Sequence, residues 1–301
     1  MSAPPSPWAR RGGRAPGPVH GDARDAARDD AHHDAREGAR GDASGATRRM
    51  SGPSRATADP ELRMYGANAI DAVFERRPQD LRKVWLAQSR VPRFGALLAF
   101  CARQRIGYRV VGEEDLRKLA GSAHHEGIVA DVARTPAPPF AQWLRAQAGE
   151  VAACALMLDG VGNPHNLGAI LRSAAHFGVA GVLVPEGGAA LSGAAARVAE
   201  GGAEHVPLVT TPDPAQALPA LEAAGFTVVA TVVDGGDDVF AAPLPARAVL
   251  VLGAEGAGMD RALAARCARR VSIPGTGAVK SLNVAAATAV LLAQWRAGTR
   301  R

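Results

Sequence analysis

The second half of the chain alternates short stretches that are apolar at every position with stretches of helical pattern. The clearest apolar stretches are 154–159 (CALMLD), 181–184 (GVLV) and 248–252 (AVLVL). A strand without polar positions is buried on both faces, which is typical of parallel sheets covered by helices on each side. Few folds accommodate this order, and we predict an α/β fold with a parallel sheet over residues 151–301.

The stretch 61–133 has an alternation of its own and predicts a small α/β sandwich. We expect helices there at 67–77, 93–105 and 113–120, and strands at 82–87, 108–111 and 127–132. A segment rich in proline follows, so residues 134–150 are expected to link two domains. In the second half we predict further strands at 206–209, 226–232 and 270–273, and helices at 166–177, 194–200, 214–224, 260–267 and 281–296.

Residues 1–60 differ from the rest of the chain in composition. They contain ten arginines, eight acidic residues and seven prolines, with few aliphatic side chains larger than alanine. Such a stretch cannot bury enough apolar surface to offset the ordering of its backbone, so we predict a disordered tail. A weak RNA-tethering arm is the alternative.

Composition also excludes several classes of protein. The 301 residues carry a net charge of +6, and 47% of them are hydrophobic, which is enough for two domains with real cores. No apolar run approaches the ~18 residues of a membrane span, and the first residues lack the apolar stretch of a signal peptide. Cys101, Cys154 and Cys267 are far apart, which argues against a disulfide framework or a zinc site. We expect a cytoplasmic protein.

Three segments of the second half place glycine and unexpected polar residues directly after apolar strands, where ligands bind in open α/β sheets. The first is 162–173 (GNPHNLGAILRS). Asn166 is expected to cap the following helix, and Arg172 to lie in its second turn. Taken alone, the segment also fits a helix cap followed by a surface arginine.

The second segment is 250–259 (LVLGAEGAGM), a strand that runs into a glycine-rich turn. Glycine at such a position indicates close approach of the backbone to a ligand. The order GxxGxG is not the GxGxxG of dinucleotide-binding folds, and no Gly-Lys-Ser/Thr follows as in a phosphate-binding loop. Glu255 is unexpected here, because a carboxylate next to a buried strand needs a partner or a function.

The third segment is 273–284 (IPGTGAVKSLNV), a glycine loop that leads into the last helix. Ser281 is the expected N-cap, and the amides of the loop and of the helix start can bind the polar edge of a ligand. Lys280 is one of three lysines in an arginine-rich chain. It is a candidate contact, although a solvated loop lysine fits as well.

Together these segments read NxxNxGAxxR, LGxEGxGM and IPxxGxxxSLNVxxA, and in this order they resemble the three motifs of the SpoU (TrmH-type) RNA 2′-O-methyltransferases. The upstream stretches 64–87 and 124–132 are similar to the N-terminal substrate-binding domain of that family. The resemblance spans residues 63–297. Within the family, the chain is most similar to the bacterial TrmH-group branch, which includes ribosomal-RNA guanosine methylases and a YfiF-like set.

The resemblance implies a SPOUT-type fold whose C-terminal chain passes through a trefoil knot, preceded by a small substrate-binding domain similar to ribosomal protein L30e. It implies S-adenosyl-L-methionine (AdoMet) as methyl donor, no metal, and a homodimer. The implied reaction is methyl transfer to a ribose 2′-hydroxyl in structured RNA, 23S ribosomal RNA before tRNA. The implied cofactor-binding residues are Leu252, Gly253, Ile273, Ser281 and Leu282.

The resemblance also implies a set of catalytic residues. These are Asn166, Arg172, Glu255, Ser281 and Asn283. Arg172 either accepts the proton, through an adjacent RNA phosphate, or positions the phosphate and the 2′-hydroxyl, and a guanidinium suits the second role better. His165 is an alternative general base, because imidazole has a suitable pKa.

The RNA contacts are expected mainly from residues 61–133, which carry twelve basic and nine acidic side chains. The candidates are Arg76, Arg77, Arg82 and Lys83, with Lys280 in the third motif. The last helix has more apolar side chains over 281–295 than a single stripe needs, which favours a two-fold dimer contact. A catalytically silent RNA-binding paralogue is the alternative function, and the complete set of polar motif residues argues against it.

Overall fold

The computed structural model describes residues 61–256 and 258–299, which belong to one compact unit, Thr57–Arg301. The predictions for residues 1–60, a disordered tail or an RNA-tethering arm, lie outside the described residues. Two sheets organise the described part of the chain, one of four strands and one of seven. None of the helices in these two ranges is long and apolar enough to cross a bilayer.

The four-stranded sheet comes first along the chain. Its strands are β1 (Glu61–Tyr65), β2 (Leu81–Leu86), β3 (Gly107–Val110) and β4 (Ile128–Ala133), and its helices are α1 (Ala67–Arg76), α2 (Gly95–Gln104) and α3 (Glu113–Ala120). The strand order is β1-β4-β2-β3. Strand β4 is antiparallel to both of its neighbours, while β2 and β3 are parallel. The sheet is therefore mixed.

Strand β1 was not predicted from the sequence. Over its first four residues it exposes Glu61 and Arg63 and buries Leu62 and Met64, the alternation of a strand with one buried face, and Tyr65 at its end is buried as well. The helix that follows buries Ile70 and Val73 at helical spacing against the same core. It ends two residues before Pro78, because proline disfavours helical backbone in the residue that precedes it.

The seven-stranded sheet has the order β7-β6-β5-β10-β8-β11-β9. Its strands are β5 (Ala153–Asp159), β6 (Gly181–Pro185), β7 (Leu208–Thr211), β8 (Thr227–Thr231), β9 (Asp237–Asp238), β10 (Arg247–Gly253) and β11 (Arg269–Ser272). The strand pairings are parallel. The prediction of an α/β fold with a parallel sheet is confirmed, and the two-residue strand β9 is an addition to it.

Helices cover both faces of this sheet, as the apolar strands require. They are α4 (Phe140–Ala146), α5 (Pro164–Phe177), α6 (Gly193–Ala199), α7 (Pro214–Ala223), α8 (Arg261–Arg266) and α9 (Val284–Thr299). One apolar cluster joins Leu171 of α5 to Leu292 of α9, and another joins Trp143 of α4 to Leu218 of α7. In the middle of the sheet, Asp159 at the end of β5 lies opposite Gly253 at the end of β10. The loops after these strands therefore open at the same edge.

The last helix differs from its prediction in one respect. The residues that α9 buries form a single stripe at helical spacing: Val284, Ala285, Thr288, Leu291, Leu292 and Trp295. Ala289 and Val290 beside that stripe are half-buried. The expectation that apolar side chains wrap more than one face is therefore revised, because most of them are covered within their own chain.

Candidate functional site

Three loops converge at the carboxyl edge of the seven-stranded sheet, and one side chain joins them. Asn283 Nδ2 donates hydrogen bonds to Asn166 Oδ1 at 3.0 Å and to Glu255 Oε1 at 2.7 Å. Asn166 follows β5, Glu255 follows β10 and Asn283 follows β11. We call these three residues the Asn–Asn–Glu cluster. It connects the three polar segments that the sequence singled out.

Asn283 is oriented by the first turn of α9. Its Oδ1 accepts hydrogen bonds from the backbone amides of Ala285 at 2.9 Å and Ala286 at 3.3 Å, so Asn283 is the N-cap of this helix. Because the oxygen is committed to these donors, the amide nitrogen faces the other two members of the cluster. The expectation that Ser281 caps the helix is wrong. The helix begins at Val284, and Ser281 lies exposed in the preceding loop.

Asn166 is also not the N-cap of its helix, contrary to expectation. The cap of α5 is Asn163, whose Oδ1 accepts from the backbone amide of His165 at 2.8 Å. Pro164 takes the first helical position, where its fixed φ and missing N–H suit a helix start. Asn166 lies further along the first turn and is buried. Because it does not cap the helix, its side-chain oxygen can accept the hydrogen bond from Asn283.

Glu255 stands in a tight turn that holds its backbone in place. Ala254 and Gly258 exchange two backbone hydrogen bonds across the turn, at 3.2 and 2.9 Å. A side chain on Gly253 would overlap the backbone nitrogen of Met259, so this position requires glycine. The turn therefore fixes where the Glu255 carboxylate leaves the sheet edge, although the residue itself is exposed.

Sequence reasoning missed Asp159, the last residue of β5. Its Oδ2 accepts from the backbone amide of Asp260 at 3.2 Å. Asp260 in turn caps α8 by accepting from the amide of Leu263 at 2.8 Å. Asp159 thus ties the end of β5 to the segment after the glycine turn. The signal for it was present, since a carboxylate that ends a buried strand is the same signal that pointed to Glu255.

The residues implied to bind the cofactor lie at or near this edge of the sheet: Leu252, Gly253, Ile273, Ser281 and Leu282. The first is buried at the end of β10, and Ile273 is half-buried just after β11. Leu282 is 46% exposed and Val279 in the same loop is 71% exposed. Apolar side chains this exposed in a loop offer surface to an apolar ligand group.

Arg172 lies outside the cluster. It is six residues beyond Asn166, and because a helix turns about 100° per residue, the two side chains point from different faces of α5. The Arg172 side chain is 63% exposed, and its Nη1 lies 3.9 Å from Glu200 Oε1. The structure therefore brings together three of the five candidate catalytic residues, and leaves Arg172 and Ser281 apart from them.

Comparisons with known proteins identify the family. The model of the SpoU rRNA Methylase family matches residues 153–293, and the model for RNA 2′-O ribose methyltransferase substrate binding matches residues 64–137. Over 237 residues the chain is 35% identical to the 23S rRNA (guanosine-2′-O-)-methyltransferase RlmB of Pseudomonas putida, a match that covers 76% of this chain and 94% of that protein. The chain belongs to the SpoU rRNA methylase family.

A second relative has higher identity over less of its length. The chain is 43% identical over 235 residues to the uncharacterized tRNA/rRNA methyltransferase YfiF of Escherichia coli O157:H7, covering 78% of this chain and 68% of that protein. The resemblance read from the three motifs is thereby confirmed. As a member of this family, the chain is an enzyme of the RNA 2′-O-methyltransferase class.

Solved structures of SpoU proteins share the fold. The methyltransferase AviRb of Streptomyces viridochromogenes, solved in complex with AdoMet, matches with a TM-score of 0.65 and 24% identity over 79% of this chain and 90% of that one. A TrmH-family protein from Porphyromonas gingivalis matches with a TM-score of 0.61 and 26% identity, over 79% and 90% of the two chains.

The cysteines of this SpoU protein are unsuited to catalysis. Burial raises the pKa of the Cys154 thiol, which lies inside β5, and burial raises the pKa of Cys267 to about 11. His165, the alternative base, is exposed, and its backbone amide makes the described contact to Asn163. Over 61–256 and 258–299, no group of three or more His, Cys, Asp or Glu side chains is placed to hold a metal ion.

Four of the five residues expected to contact RNA are exposed: Arg76, Arg82, Lys83 and Lys280. Lys83 Nζ lies 4.9 Å from the ring centre of Trp85, and Arg82 Nη1 donates to the carbonyl of Gln79 at 3.0 Å. Neither contact neutralises the charge. These cations therefore stay available to an anionic partner of the SpoU enzyme.

Arg77 is the exception among these cations. Its Nε and Nη2 donate to the Glu204 carboxylate at 2.6 and 2.8 Å, and its Nη1 donates to the carbonyl of Ala133 at 2.7 Å. The side chains of Arg77 and Glu204 are only 12% and 7% exposed, and the hydrogen bond to Glu204 raises the pKa of the Arg77 guanidinium. Arg77 fastens the end of α1 to the segment after α6. The expectation that it contacts RNA is revised accordingly.

Proposed function

We propose that this SpoU protein transfers a methyl group from AdoMet to a ribose 2′-hydroxyl of structured RNA, with 23S ribosomal RNA as the preferred substrate and tRNA as the second. The observation that carries the proposal is the Asn–Asn–Glu cluster, which joins all three family motifs at one edge of the sheet. The substrate is supported by the relatives, of which RlmB acts on 23S rRNA and YfiF is named for tRNA and rRNA.

The loops at this edge have the chemistry that AdoMet binding requires. Val279 and Leu282 expose apolar surface that suits an adenine ring. A side chain on Gly275 or Gly277 would meet open space, so the backbone there is accessible to the polar edge of the ring. When bound, AdoMet supplies a methyl group activated by its sulfonium. The cluster holds the loop after β11 at its junction with α9, which keeps the cofactor surface in place.

We assign the acceptor side of the reaction to Arg172. Its exposed guanidinium can bind an RNA phosphate through two parallel N–H groups and orient the adjacent ribose. A guanidinium has no lone pair to accept a proton and keeps its charge at neutral pH. Arg172 therefore positions the 2′-hydroxyl, and the proton of that hydroxyl is transferred to a phosphate oxygen or to water.

We further propose that residues 61–133 act as the RNA-binding domain, joined by a linker over 134–150 to a catalytic domain over 151–301. The basic excess of the first domain and the exposed cations on and next to β2 support this division. Arg76, Arg82 and Lys83 would contact RNA phosphates, with Lys280 doing so from the catalytic side. Such contacts make affinity fall as salt rises, because bound counterions are released.

Assembly belongs to the same proposal. We propose a homodimer in which half-buried and exposed residues of α9, among them Ala286, Ala289 and Val290, meet a second copy. The resemblance to SPOUT proteins supports this arrangement, and it also supports a trefoil knot in the C-terminal chain. Light scattering at sub-micromolar concentration tests the dimer, and a fully active monomer there contradicts it.

The experiment that tests the proposed function is methyl transfer itself. The protein is incubated with labelled AdoMet and unmodified total RNA, and the labelled nucleotide is mapped. We expect label on the ribose of one nucleotide of 23S rRNA, and loss of labelling in Arg172→Ala. The exposed Arg145 on α4 provides a matched control, since the carbonyls just after α4 accept hydrogen bonds from Arg247 at the amino end of β10, the edge of the sheet opposite the site. RNA binding without any methyl transfer would favour the silent paralogue.

A further inference from the structure

The turn that follows α6 is wedged between α1 of the small sheet and α5, the helix that carries Arg172. A Cβ atom on Gly201 would lie 3.0 Å from the Cβ of Ala72 on α1. One on Gly202 would lie 3.0 Å from the Cα of Arg172 itself. Because the backbone of this turn contacts both helices, a shift of α1 is passed directly to the backbone that supports Arg172.

Glu200 begins this turn in a conformation that a glutamate seldom adopts. Its φ of 51° and ψ of 42° lie in the left-handed region, where glycine or asparagine is the usual residue. Backbone strain of this kind persists when surrounding contacts hold the residue, and it is concentrated at functional sites. The side chain is 28% exposed, so its carboxylate is only partly hydrated.

The Glu200 carboxylate has a partner on each side of the turn. Oε2 accepts a hydrogen bond from Asn68 Nδ2 on α1, and Oε1 lies 3.9 Å from Arg172 Nη1 on α5. Arg93 Nη2 donates to Asn68 Oδ1 at 3.0 Å, which orients the amide so that its nitrogen faces Glu200. A polar chain thus runs from the small sheet to Arg172 through a single carboxylate.

Arg172 needs such a partner because little else restrains it. Its long side chain lines an open cleft of about 490 Å³ between α1 and α5, together with Glu200 and His205. Asp71 and Glu75 also line the cleft, so the negative charge along α1 is spread over several carboxylates. Glu200 is the one whose oxygen the structure places within 4 Å of the guanidinium. It therefore selects one orientation among several that the cleft would otherwise permit.

We propose that Glu200 is a positioning residue for Arg172: it holds the guanidinium in the orientation that receives the acceptor ribose, and it links that orientation to the small domain through Asn68. This inference rests on the proposed function, in which Arg172 serves the acceptor side. Loss of the carboxylate leaves the guanidinium free to turn, so fewer bound RNA molecules reach the geometry for transfer. The effect therefore falls on kcat and leaves AdoMet binding intact.

Glu126 provides a matched control at the same end of α1, where it contacts Ala67, the residue before Asn68. It too has a left-handed backbone, with φ of 55°, and its side chain is 30% exposed. Its carboxylate joins α1 to α6: it accepts a hydrogen bond from the backbone amide of Ala67 at 3.0 Å and pairs with Arg197 at 3.1 Å. Unlike Glu200, it has no described contact with Arg172. Glu126→Gln therefore perturbs the first turn of α1 without changing the contacts that link Asn68, Glu200 and Arg172.

The test compares Glu200→Gln with Glu126→Gln in the full-length protein, using labelled AdoMet and the RNA that wild type methylates. The glutamine oxygen can still accept from Asn68, so the fold is kept. We expect Glu200→Gln to lower kcat about ten-fold with the KM for AdoMet unchanged, and Glu126→Gln to keep kcat within about two-fold. A kcat above a third of wild type in Glu200→Gln, or an equal fall in both variants, overturns the proposal.

A glycine variant separates positioning from folding. Glu200→Gly removes the carboxylate and also relieves the left-handed backbone, so its Tm should equal or exceed that of wild type. We expect kcat nonetheless to fall as far as in Glu200→Gln. If Glu200 served the fold alone, the glycine variant would be as active as wild type, and that result overturns the proposal.

Failure of the proposed function can be told apart from failure of this inference. If wild type methylates no RNA, the proposed function fails. NMR of the Arg172 Nε–Hε group then tests, with no need for activity, whether Glu200 orients Arg172. The signal is assigned by its loss in Arg172→Lys. It should shift and become more mobile in Glu200→Gln but not in Glu126→Gln. An unchanged signal in Glu200→Gln overturns the link between Glu200 and Arg172.

Discussion

The Asn–Asn–Glu cluster and the surroundings of Arg172 are both polar, yet they are held very differently. Asn283 makes four hydrogen bonds of 2.7 to 3.3 Å, two to side chains of other motifs and two to its own helix. Arg172 is 63% exposed, and its described ionic contact is at 3.9 Å. The side that we propose for the cofactor is thus formed in the protein alone, whereas on the proposed acceptor side the guanidinium has one long ionic contact and can also bind an RNA phosphate.

This difference has a physical reason. AdoMet is small and offers few contacts, so its site must exist before binding if the ordering of several loops is not to oppose it. A large RNA brings many phosphate contacts and can add to the order that Glu200 gives to Arg172. The following variants remove side chains from these two regions, from the contact between α1 and the segment after α6, and from strand β2.

The largest effect is expected from Arg172→Ala. Removing the only motif guanidinium should lower kcat about 10³-fold, since groups that position or stabilise the reacting atoms contribute effects of this size. Single-turnover transfer of labelled methyl to RNA measures it. Arg145→Ala, which removes an exposed arginine from α4, should keep kcat near wild type. Comparable losses in the two variants would mean that Arg172 has no special part in the reaction.

The next effect concerns stability and Arg77. Arg77→Ala leaves the Glu204 carboxylate, only 7% exposed, without its partner, so the free energy of unfolding should fall by about 3 kcal/mol. Urea denaturation measures this. Arg117 forms an exposed pair with Glu114 on one helix, and Arg117→Ala should leave stability near that of wild type. If Arg77→Ala weakened RNA binding without loss of stability, its original assignment as an RNA contact would be restored.

A smaller loss of stability is expected at the cofactor side. Asn283→Ala removes the N-cap of α9 and should lower the free energy of unfolding by about 1 kcal/mol. Ser281→Ala, two residues earlier, should leave stability unchanged, because Ser281 does not cap the helix. Thermal unfolding of the two variants side by side gives the answer. The reverse order would place the cap at Ser281.

The smallest effect is expected on RNA affinity. The double variant Arg82→Ala/Lys83→Ala should weaken RNA binding about five-fold at low salt, and it should reduce the slope of log affinity against log salt by about 1.5. Arg261→Ala/Arg266→Ala makes the same change of charge on α8 and should leave affinity near wild type. Filter binding across a salt series distinguishes them, and equal effects would indicate attraction to net charge alone.

The sequence was sufficient for the parallel sheet and for the grouping of the motifs, because both depend on local pattern. Strands such as 154–159 are apolar at every position, and polar residues that follow parallel strands must meet at one edge. Helix starts were harder. Pro164 fixes the start of α5 one residue after Asn163, a signal that was present but not used. Ser281 and Asn283 are both good caps, and only tertiary contacts decide between them.

Contacts between distant parts of the chain could not be predicted. Arg77 reads as one cation among several near α1, and its partner Glu204 lies 127 residues away. Glu200 reads as an ordinary glutamate before two glycines, and its partner Asn68 is 132 residues away. Strand β1 is only five residues long and is stabilised by pairing with β4, whose sequence lies more than sixty residues further on.

The claim that the cofactor side is formed without the acceptor side is tested most directly by calorimetric titration of AdoMet into wild type, Arg172→Ala and Asn283→Ala in the absence of RNA. We predict that Arg172→Ala binds AdoMet within about two-fold of wild type, while Asn283→Ala binds at least about ten-fold more weakly, a difference of about 1.4 kcal/mol. Equal affinities in the two variants, or a greater loss in Arg172→Ala, would contradict the account.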